Sequence, residues 1–398
     1  MADSCFTKRL RNEADPLDPD GYNSNPNATP EQKQSAQVLD AGDLENSRPE
    51  MELSPRVGLA FPVAEGSVFH ASYGRFMQRP DLQNLYVSYD FLEYKIRNGG
   101  YFFPFGNPNL RPERTIAYEM GWTRQLGSNS SVDVTAYYKD VKDLTEVVNQ
   151  QATPFSFATY RNTDFGTIKG LELRFDMRRT HNVGLQCSYT LSEATGTGSN
   201  ANSQSNIAWF ASDAPLTPSP LDHDQRHKLV GILDLQCGDH EGPTLGNWRP
   251  LENAGLNFTM QAGSGFPYTP TQVWNEVTLI SNRGPLSGPV NSRYGNWRFQ
   301  IDMKATKSFA LAGKQLEFEL WVVNLLNQKN TLGVYQSTGL ANSTGWLETD
   351  EGRAFSDALN YAHDSSGLTA EQKYLLRENN PTNYDVPRQI RAGLKVSF

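Results

Sequence analysis

Residues 131–144, SVDVTAYYKDVKDL, are the stretch that decides the fold. Small or apolar side chains alternate along it with polar or charged ones: Val132, Val134, Ala136 and Tyr138 against Asp133, Thr135, Tyr137 and Lys139. Successive side chains of a β-strand point to opposite faces, so the pattern predicts a strand with one apolar and one wet face. The run is also long, because strands of soluble globular proteins usually have about 5–6 residues.

The same alternation recurs in ten further runs, which lie near 55–63, 66–76, 113–126, 167–179, 182–193, 226–238, 253–264, 297–309, 314–326 and 388–398. Short connections, such as Ala64-Glu-Gly, alternate with long loops at 77–112, 145–166, 194–225, 265–296 and 327–387. Transmembrane β-barrels have short periplasmic turns and long extracellular loops, whereas a soluble antiparallel sheet with one solvated face does not need this alternation. We therefore predict an all-β chain with about eleven long antiparallel strands in residues 54–398, a segment of a transmembrane barrel.

Composition agrees with a two-faced sheet in a membrane. The 398 residues are 37% hydrophobic and 11% aromatic, with a mean hydropathy of −0.58. No run approaches 18 consecutive apolar residues, which excludes a helical membrane protein. The net charge of −8 argues against nucleic acid as a partner. Three cysteines without CxxC spacing predict neither a disulfide framework nor a structural zinc site, and we expect no cofactor.

Residues 1–53 differ from the rest of the chain. They carry 11 acidic and 5 basic residues, several prolines and almost no periodic apolar pattern, and Met1 to Leu10 contain no apolar region typical of a secretory signal. We expect a largely irregular extracellular leader, with one short helix that Thr29 caps and Pro30 opens. If the final strand ends at Phe398 on the periplasmic side, an odd strand count places this leader outside the cell. Two further helices are expected in loop 327–387, over 351–361 and 370–378.

Residues 107–121, NPNLRPERTIAYEMG, resemble a segment of TonB-dependent outer-membrane receptors, in which Asn-Pro-x-Leu-x-Pro-Glu enters a strand ending in Tyr-Glu-x-Gly. The matching motif positions here are Asn107, Pro108, Leu110, Pro112 and Glu113. Asp222-His-Asp-Gln-Arg-His, with Asp222, His223, Arg226 and His227, is similar to the family's strand opening after a large loop. Residues 54–63, 71–76, 170–173, 263–270, 323–327 and 395–398 continue the resemblance in order, and an Oar-like or SusC-like branch fits best.

The resemblance implies ligand capture and energy-coupled uptake across the outer membrane in an intact protein. Members of the family have a signal peptide, a TonB-contacting box, a plug and 22 strands, so this chain resembles a fragment with about half a barrel and no plug. The implied partners are outer-membrane lipid, the barrel-assembly machinery, TonB for an intact protein with a plug, and a surface substrate-binding lipoprotein.

Two groups of side chains are candidates for binding. His223 and His227 share one face if the strand begins before them, which suggests a metal site or, more simply, a polar rim. The loop aromatics Trp209, Phe210, Trp274 and Trp346 offer a stacking surface for a sugar or another amphipathic ligand, although packing within the loops is the default explanation. Charged residues on the wet face, such as Asp133 and Arg174, line a pore or form ion-pair ladders.

The last residue, Phe398, ends an alternating run and resembles the C-terminal signal read by the barrel-assembly machinery. No nucleophile elbow or Cys/His pair is present, so we expect no enzyme. Two alternatives to a receptor remain open: a plug-free passive porin or adhesin barrel, and a soluble carbohydrate-binding β protein.

Overall fold

The computed structural model describes residues 8–47, 49, 51–100, 103–203, 205, 208, 216–246, 249–275, 277, 284–311, 314–359 and 367–397. Its strands are β1 Lys8–Leu10, β2 Leu44–Asn46, β3 Arg56–Ala64, β4 Ser67–Gln78, β5 Glu113–Leu126, β6 Ser130–Gln150, β7 Phe157–Thr180, β8 Val183–Gly196, β9 Ser219–Pro220, β10 His227–Cys237, β11 Ala254–Gly263, β12 Pro267–Tyr268, β13 Arg293–Tyr294, β14 Arg298–Leu311, β15 Lys314–Val323 and β16 Gln389–Ser397. The helices are α1 Pro30–Ser35, α2 Leu82–Leu85, α3 Tyr89–Asn98, α4 Asp350–Leu359 and α5 Ala370–Glu378. Among the described residues, no helix has the length and apolarity that crossing a bilayer requires.

Eleven long strands form one antiparallel sheet, in the order β3-β4-β5-β6-β7-β8-β10-β11-β14-β15-β16. They are the eleven runs that the alternation predicts, so the fold class is confirmed. The prediction was wrong about residues 145–166, which it gave as a long loop. Strands β6 and β7 continue through most of that segment, pairing as far as Gln150 and Phe157.

The two faces of the sheet have opposite chemistry. On one face, Met120 of β5 is 58% exposed and Leu394 of β16 is 68% exposed, so large apolar side chains stand open rather than in a packed core. This is the surface that lipid covers in a transmembrane barrel. On the other face, Lys304 of β14 lies 3.2 Å from Glu319 of β15, and Arg174 lies 2.7 Å from Asp176 on β7.

The described sheet is open. Strands β3 and β16 form its two edges, and neither pairs with the other in the described part of the chain. All ten neighbouring pairs are antiparallel, so β3 and β16 run in the same direction. The odd number of strands that the sequence predicts is therefore present.

Loop and helix segments pack together over the ends of the strands where the long loops lie. We call these segments the long-loop layer. Helix α3 contributes the buried Leu92 and Ile96 to a cluster that also contains Leu17 and Phe157. The N-terminal segment is tied to this layer, because the hydroxyl of Tyr89 donates to the carbonyl of Lys8 at 2.7 Å. Residues 8–47 thus pack against the long-loop ends of the strands.

The helices predicted from capping patterns are confirmed. Helix α1 begins after Thr29 and α5 begins after Thr369, each with a reciprocal capping box to a glutamine three residues later. Helix α4 covers Asp350–Leu359, close to the expected 351–361. Helices α2 and α3 were not predicted.

Candidate functional site

The described motif residues gather at the long-loop rim, where β5, β10 and β15 meet their loops. In the first motif, Asn107 Nδ2 donates to the carbonyl of Tyr160 on β7 at 2.8 Å, and Asn107 Oδ1 accepts from the N–H of Asn109 at 2.9 Å. Leu110 is 6% exposed and packs against the buried Val147 of β6. This motif therefore fastens the loop before β5 onto the extended part of β6 and β7.

Glu113 and its neighbours hold an irregularity of β6. The Glu113 carboxylate accepts from the N–H of Thr145 at 3.2 Å, beside the point where the register of β6 with β7 shifts. Asp143 there has φ of 60° and forms an ion pair with Arg111 at 2.7 Å. Pro108 occupies the preceding turn, and Pro112 directly precedes β5. The motif has a structural role that its sequence alone does not reveal.

The second motif is built around Asp224, which is 1% exposed. Its carboxylate accepts from the N–H of Ala194 at 2.7 Å, from Arg226 Nε at 2.8 Å and from the hydroxyl of Tyr294 at 2.6 Å. Because a buried charge is costly unless it is paired and hydrogen-bonded, these donors are what allow Asp224 to lie there. The motif joins β8, β10 and the loop between β11 and β14.

The histidines of this motif do not form the shared face that the sequence suggested. His227 is the first residue of β10, whereas His223 lies in the preceding loop and is exposed. The His227 ring stacks on Trp297, with 5.4 Å between centroids, and its Nδ1 lies 2.8 Å from the hydroxyl of Tyr189. In the same loop Asp222 accepts from Asn291 Nδ2 at 2.7 Å, so it too has a structural partner.

A third rim contact, centred on Asn324, was missed as a site. Asn324 is 1% exposed and has φ of 54°. Its N–H donates to Asp302 at 2.8 Å, and its Nδ2 donates to the carbonyls of Gln328 at 3.0 Å and Val386 at 3.1 Å. The segment Val323-Asn-Leu-Leu-Asn therefore joins the end of β15 to the chain entering β16.

A buried acidic pair lies on the extended part of β6 and β7. Glu146 is 1% exposed and Asp164 is 2% exposed. Thr163 donates to Glu146 Oε2 at 2.6 Å and Thr197 donates to Asp164 Oδ1 at 2.7 Å, while Glu146 Oε1 is buried without a hydrogen bond. Burial, together with the Asp164 carboxyl, raises the pKa of Glu146 to about 7, although the Thr163 hydroxyl opposes the shift.

The predicted loop aromatics are spread over several environments. Trp346 is 9% exposed and packs on Phe355 and Tyr374, with centroids 5.1 Å and 5.0 Å away, so it lies in the core of its loop. Trp274 is half-buried against the backbone of Gly284. Trp209, Phe210 and Phe398 lie outside the described residues.

A pocket of about 250 Å³ opens at the rim between β10, β11 and β14. We call it the rim pocket and define it by Gln225, Lys228, Gln261, Gly263, Phe266, Arg298, Gln300, Asn330 and Asp385, among its lining residues. Its β-strand residues 228, 261, 298 and 300 belong to the polar face of the sheet, the face that carries Lys304. The pocket combines amides with two cations, which suits recognition of a polar ligand.

One group of metal-binding residue types occurs among the described residues, in the turn between β10 and β11, at the end of the strands away from the long loops. There His240 Nδ1 lies 3.0 Å from Glu252, whereas His240 Nε2 lies 3.6 Å from Asp239. Because the two carboxylates face different ring nitrogens of an exposed histidine, the arrangement is that of surface ion pairs.

Comparison with known proteins gives the family of the chain. Residues 19–325, which are 307 of the 398, match the family described as TonB dependent receptor-like, beta-barrel. The iron-regulated outer membrane virulence protein of Vibrio cholerae is 24% identical over 163 residues, covering 40% of this chain and 23% of that protein.

One solved structure shows the same fold over part of its length. P. aeruginosa FpvA in complex with a pyoverdine and iron superposes with a TM-score of 0.51 at 10% identity, covering 89% of this chain and 34% of that one. The Escherichia coli outer membrane transporter YddB gives 0.45 at 12% identity, covering 68% and 36%. The chain thus spans about a third of the length of these structures. From its two-faced strands, its rim motifs and the match over residues 19–325, the chain belongs to the TonB-dependent receptor-like β-barrel family of the outer membrane.

Proposed function

We propose that this chain is the ligand-facing part of an outer-membrane receptor that captures a ligand at the cell surface and, in the intact protein, takes it up by TonB-coupled transport. The observation that carries the proposal is the rim, where three motifs of this sequence fasten long loops and where Gln225 of the second motif lines a polar pocket. In this reading residues 54–398 belong to the barrel wall, residues 1–53 are an outer leader, and no chemical transformation of the ligand is involved.

The side on which the long loops lie would face outside the cell. Support comes from the asymmetry of the connections, because barrels of this kind have short periplasmic turns and long extracellular loops. In that orientation β16 ends on the periplasmic side, where the barrel-assembly machinery would read its end. A surface lipoprotein that delivers the ligand would contact the long-loop layer.

An iron chelate is the first ligand class to test. The V. cholerae relative is named as iron-regulated, and FpvA was solved with an iron complex of a pyoverdine. Disruption of the gene should reduce uptake of radiolabelled iron chelates into iron-starved cells, and re-expression should restore it. Deletion of the host's TonB should abolish the restored uptake.

Two results would contradict the proposal. Uptake that persists without TonB, together with ion conductance of the purified protein in planar bilayers, would indicate a passive porin. A chain that is recovered from the soluble fraction and stays monodisperse without detergent would indicate the soluble carbohydrate-binding alternative.

A further inference from the structure

We propose that the rim pocket binds an anionic oxygen group of the ligand, a carboxylate or a phosphate, between Lys228 and Arg298. The inference rests on the proposed receptor function and names the chemistry of the group that the receptor recognises. It is argued from the position of the two cations, from their lack of carboxylate partners and from the remaining groups of the pocket.

Lys228 and Arg298 stand in one row across three strands. Lys228 of β10 pairs with Gly263 of β11, and Gly263 pairs with Arg298 of β14. Because neighbouring strands are about 4.8 Å apart, the two backbones lie about 10 Å from each other. The residue between them is Gly263, which has no side chain. The two cations therefore lie on either side of a gap.

The two cations have no carboxylate within 4.0 Å among the described residues, unlike Arg174 and Lys304 of the same polar face. Lys304, further along the sheet, is neutralised by Glu319 at 3.2 Å. The guanidinium of Arg298 lies 5.9 Å from the Phe266 ring centroid, which leaves its hydrogen-bond donors free for another acceptor. An arginine fork and a lysine ammonium are the two side chains that suit carboxylates and phosphates.

The floor of the gap is formed by an amide. A Cβ placed on Gly263 would lie only 2.4 Å from Gln225 Nε2, so glycine is what lets this side chain lie across the row. Gln225 Nε2 donates to the carbonyl of Ser264 at 2.9 Å, which fixes the amide in place. The next row of the same face continues with Gln261 paired to Gln300, so polar uncharged groups extend the pocket along the sheet.

One acid also lines the pocket. The Asp385 carboxylate accepts from the N–H of Val386 at 2.7 Å, and no cation lies within salt-bridge distance of it among the described residues. With two cations and one acid the pocket has a formal charge of +1. Its volume of about 250 Å³ is several times the roughly 30 Å³ that a water molecule takes up in the liquid, so an anionic group of several atoms fits.

The test uses the full chain in detergent micelles, with citrate and inorganic phosphate as probes in isothermal titration calorimetry at low ionic strength. The variants are Lys228→Gln with Arg298→Gln, and Asp385→Asn. The control is Lys139→Gln, because Lys139 lies on the same polar face, over the Tyr137 ring at 5.3 Å and outside the pocket. Heat-modifiable electrophoretic mobility checks that each variant is folded.

We expect the double variant to bind at least about tenfold more weakly than the native chain, since it loses two charged hydrogen-bond donors. Lys139→Gln should bind like the native chain, and Asp385→Asn should bind about two- to fivefold more tightly because the opposing charge is removed. Binding of citrate alone would assign the pocket to carboxylates, and binding of phosphate alone would assign it to phosphate groups.

Three outcomes would overturn the proposal: no binding of either probe by the native chain, equal binding by the folded double variant, or an equal loss in Lys139→Gln. The last would show a general effect of charge on the polar face. These results do not depend on TonB or on iron uptake, so failure of the pocket and failure of the proposed transport function are seen separately.

Discussion

At the scale of single residues, the rim holds buried acids in two opposite circumstances. Asp224 has a backbone N–H, an arginine and a tyrosine hydroxyl as donors, whereas Glu146 faces the second acid Asp164. Glu146 lies eight residues beyond Tyr138, a residue of the apolar face of β6. At the rise of an extended strand this separates the two residues by about 26 Å. Asp224 stabilises the rim through its three donors, whereas Glu146 does so when it is protonated.

The raised pKa of Glu146 predicts that stability at the rim falls with rising pH. The unfolded glutamate ionises near its ordinary value of 4.5, whereas the buried one keeps its proton until about pH 7. Its contribution is therefore complete below pH 4.5 and lost as the pH rises to about 7. In Glu146→Gln, which keeps an acceptor for Thr163, the urea midpoint should change less between pH 5 and pH 8 than in the native chain.

Asp81→Asn is the matched control, because Asp81 is an exposed acid that makes no capping hydrogen bond at the start of α2. It should leave the pH dependence of unfolding as in the native chain. An unchanged pH dependence in Glu146→Gln would contradict the raised pKa of Glu146.

Removal of the Asp224 carboxylate should destabilise the second motif strongly. Asp224→Ala leaves the buried Ala194 N–H and the Tyr294 hydroxyl without this acceptor, whereas Arg226 keeps Glu193 at 3.4 Å, so the expected cost is about 1–3 kcal/mol. His223→Ala, at the adjacent and exposed residue, should stay within about 0.5 kcal/mol of the native chain. Chemical unfolding in detergent measures both, and similar values for the two variants would rule out the role given to Asp224.

At the scale of elements, the strands were predictable because each carries its own pattern. Alternation along β5, β8 or β14 repeats with a period of two and needs no knowledge of the neighbours. Likewise α5 carries its own start signal at Thr369. Helix α3 could not be found in this way, because its buried Leu92 and Ile96 pack on Leu17 and Phe157, far away in the sequence.

The same reason explains the errors at the candidate site. The extended ends of β6 and β7 are stabilised by Leu110 in the loop before β5 and by Glu113 at the start of β5, and not by alternation of their own. The motifs were recognisable as patterns, but their partners, such as Tyr294 for Asp224, come from other loops. His223 was placed on a strand because alternation gives no signal for the residue at which a strand begins.

The assignment of the two faces predicts unequal tolerance to charge. Leu173 lies on the apolar face of β7, paired with Val134 and Tyr189, while Thr190 of β8 lies on the polar face beside Glu172. Leu173→Lys should destabilise the folded protein in lipid by about 2–4 kcal/mol, as for a lysine near the midplane of a bilayer. Thr190→Lys should be tolerated, and urea titration of the protein refolded in lipid vesicles compares them. Equal effects would contradict the assignment.

At the scale of the whole molecule, the two edges of the sheet run in the same direction. An antiparallel ring alternates in direction, so β3 and β16 cannot close it by pairing with each other. An odd number of additional strands between them would restore the alternation. Two copies of this sheet inserted in the same direction could not close edge to edge either, because each seam would again join strands that run the same way.

This parity predicts a result for cysteine cross-linking. In a background without the native cysteines, Gly58→Cys with Gly393→Cys should form no intramolecular disulfide, because those residues lie on opposite edges. Leu320→Cys with Ala392→Cys should form one readily, since these residues are paired between β15 and β16. Electrophoresis without reducing agent distinguishes the two, and a disulfide between positions 58 and 393 would mean that the edges meet.

The stacked rings of Tyr189, His227 and Trp297 mark one end of the part of β10 that would cross the membrane. They lie at the first residue of β10, and the strand ends at Cys237, ten residue steps later. At about 3.3 Å a step and a tilt near 40°, those steps rise about 25 Å, the height of the apolar band of outer-membrane barrels. A thicker bilayer would draw the stack into hydrocarbon and leave the Tyr189 hydroxyl and the imidazole without water. The strand thus matches an apolar band of about 25 Å, and the depth of Trp297, 61% exposed, reports how well a given bilayer fits.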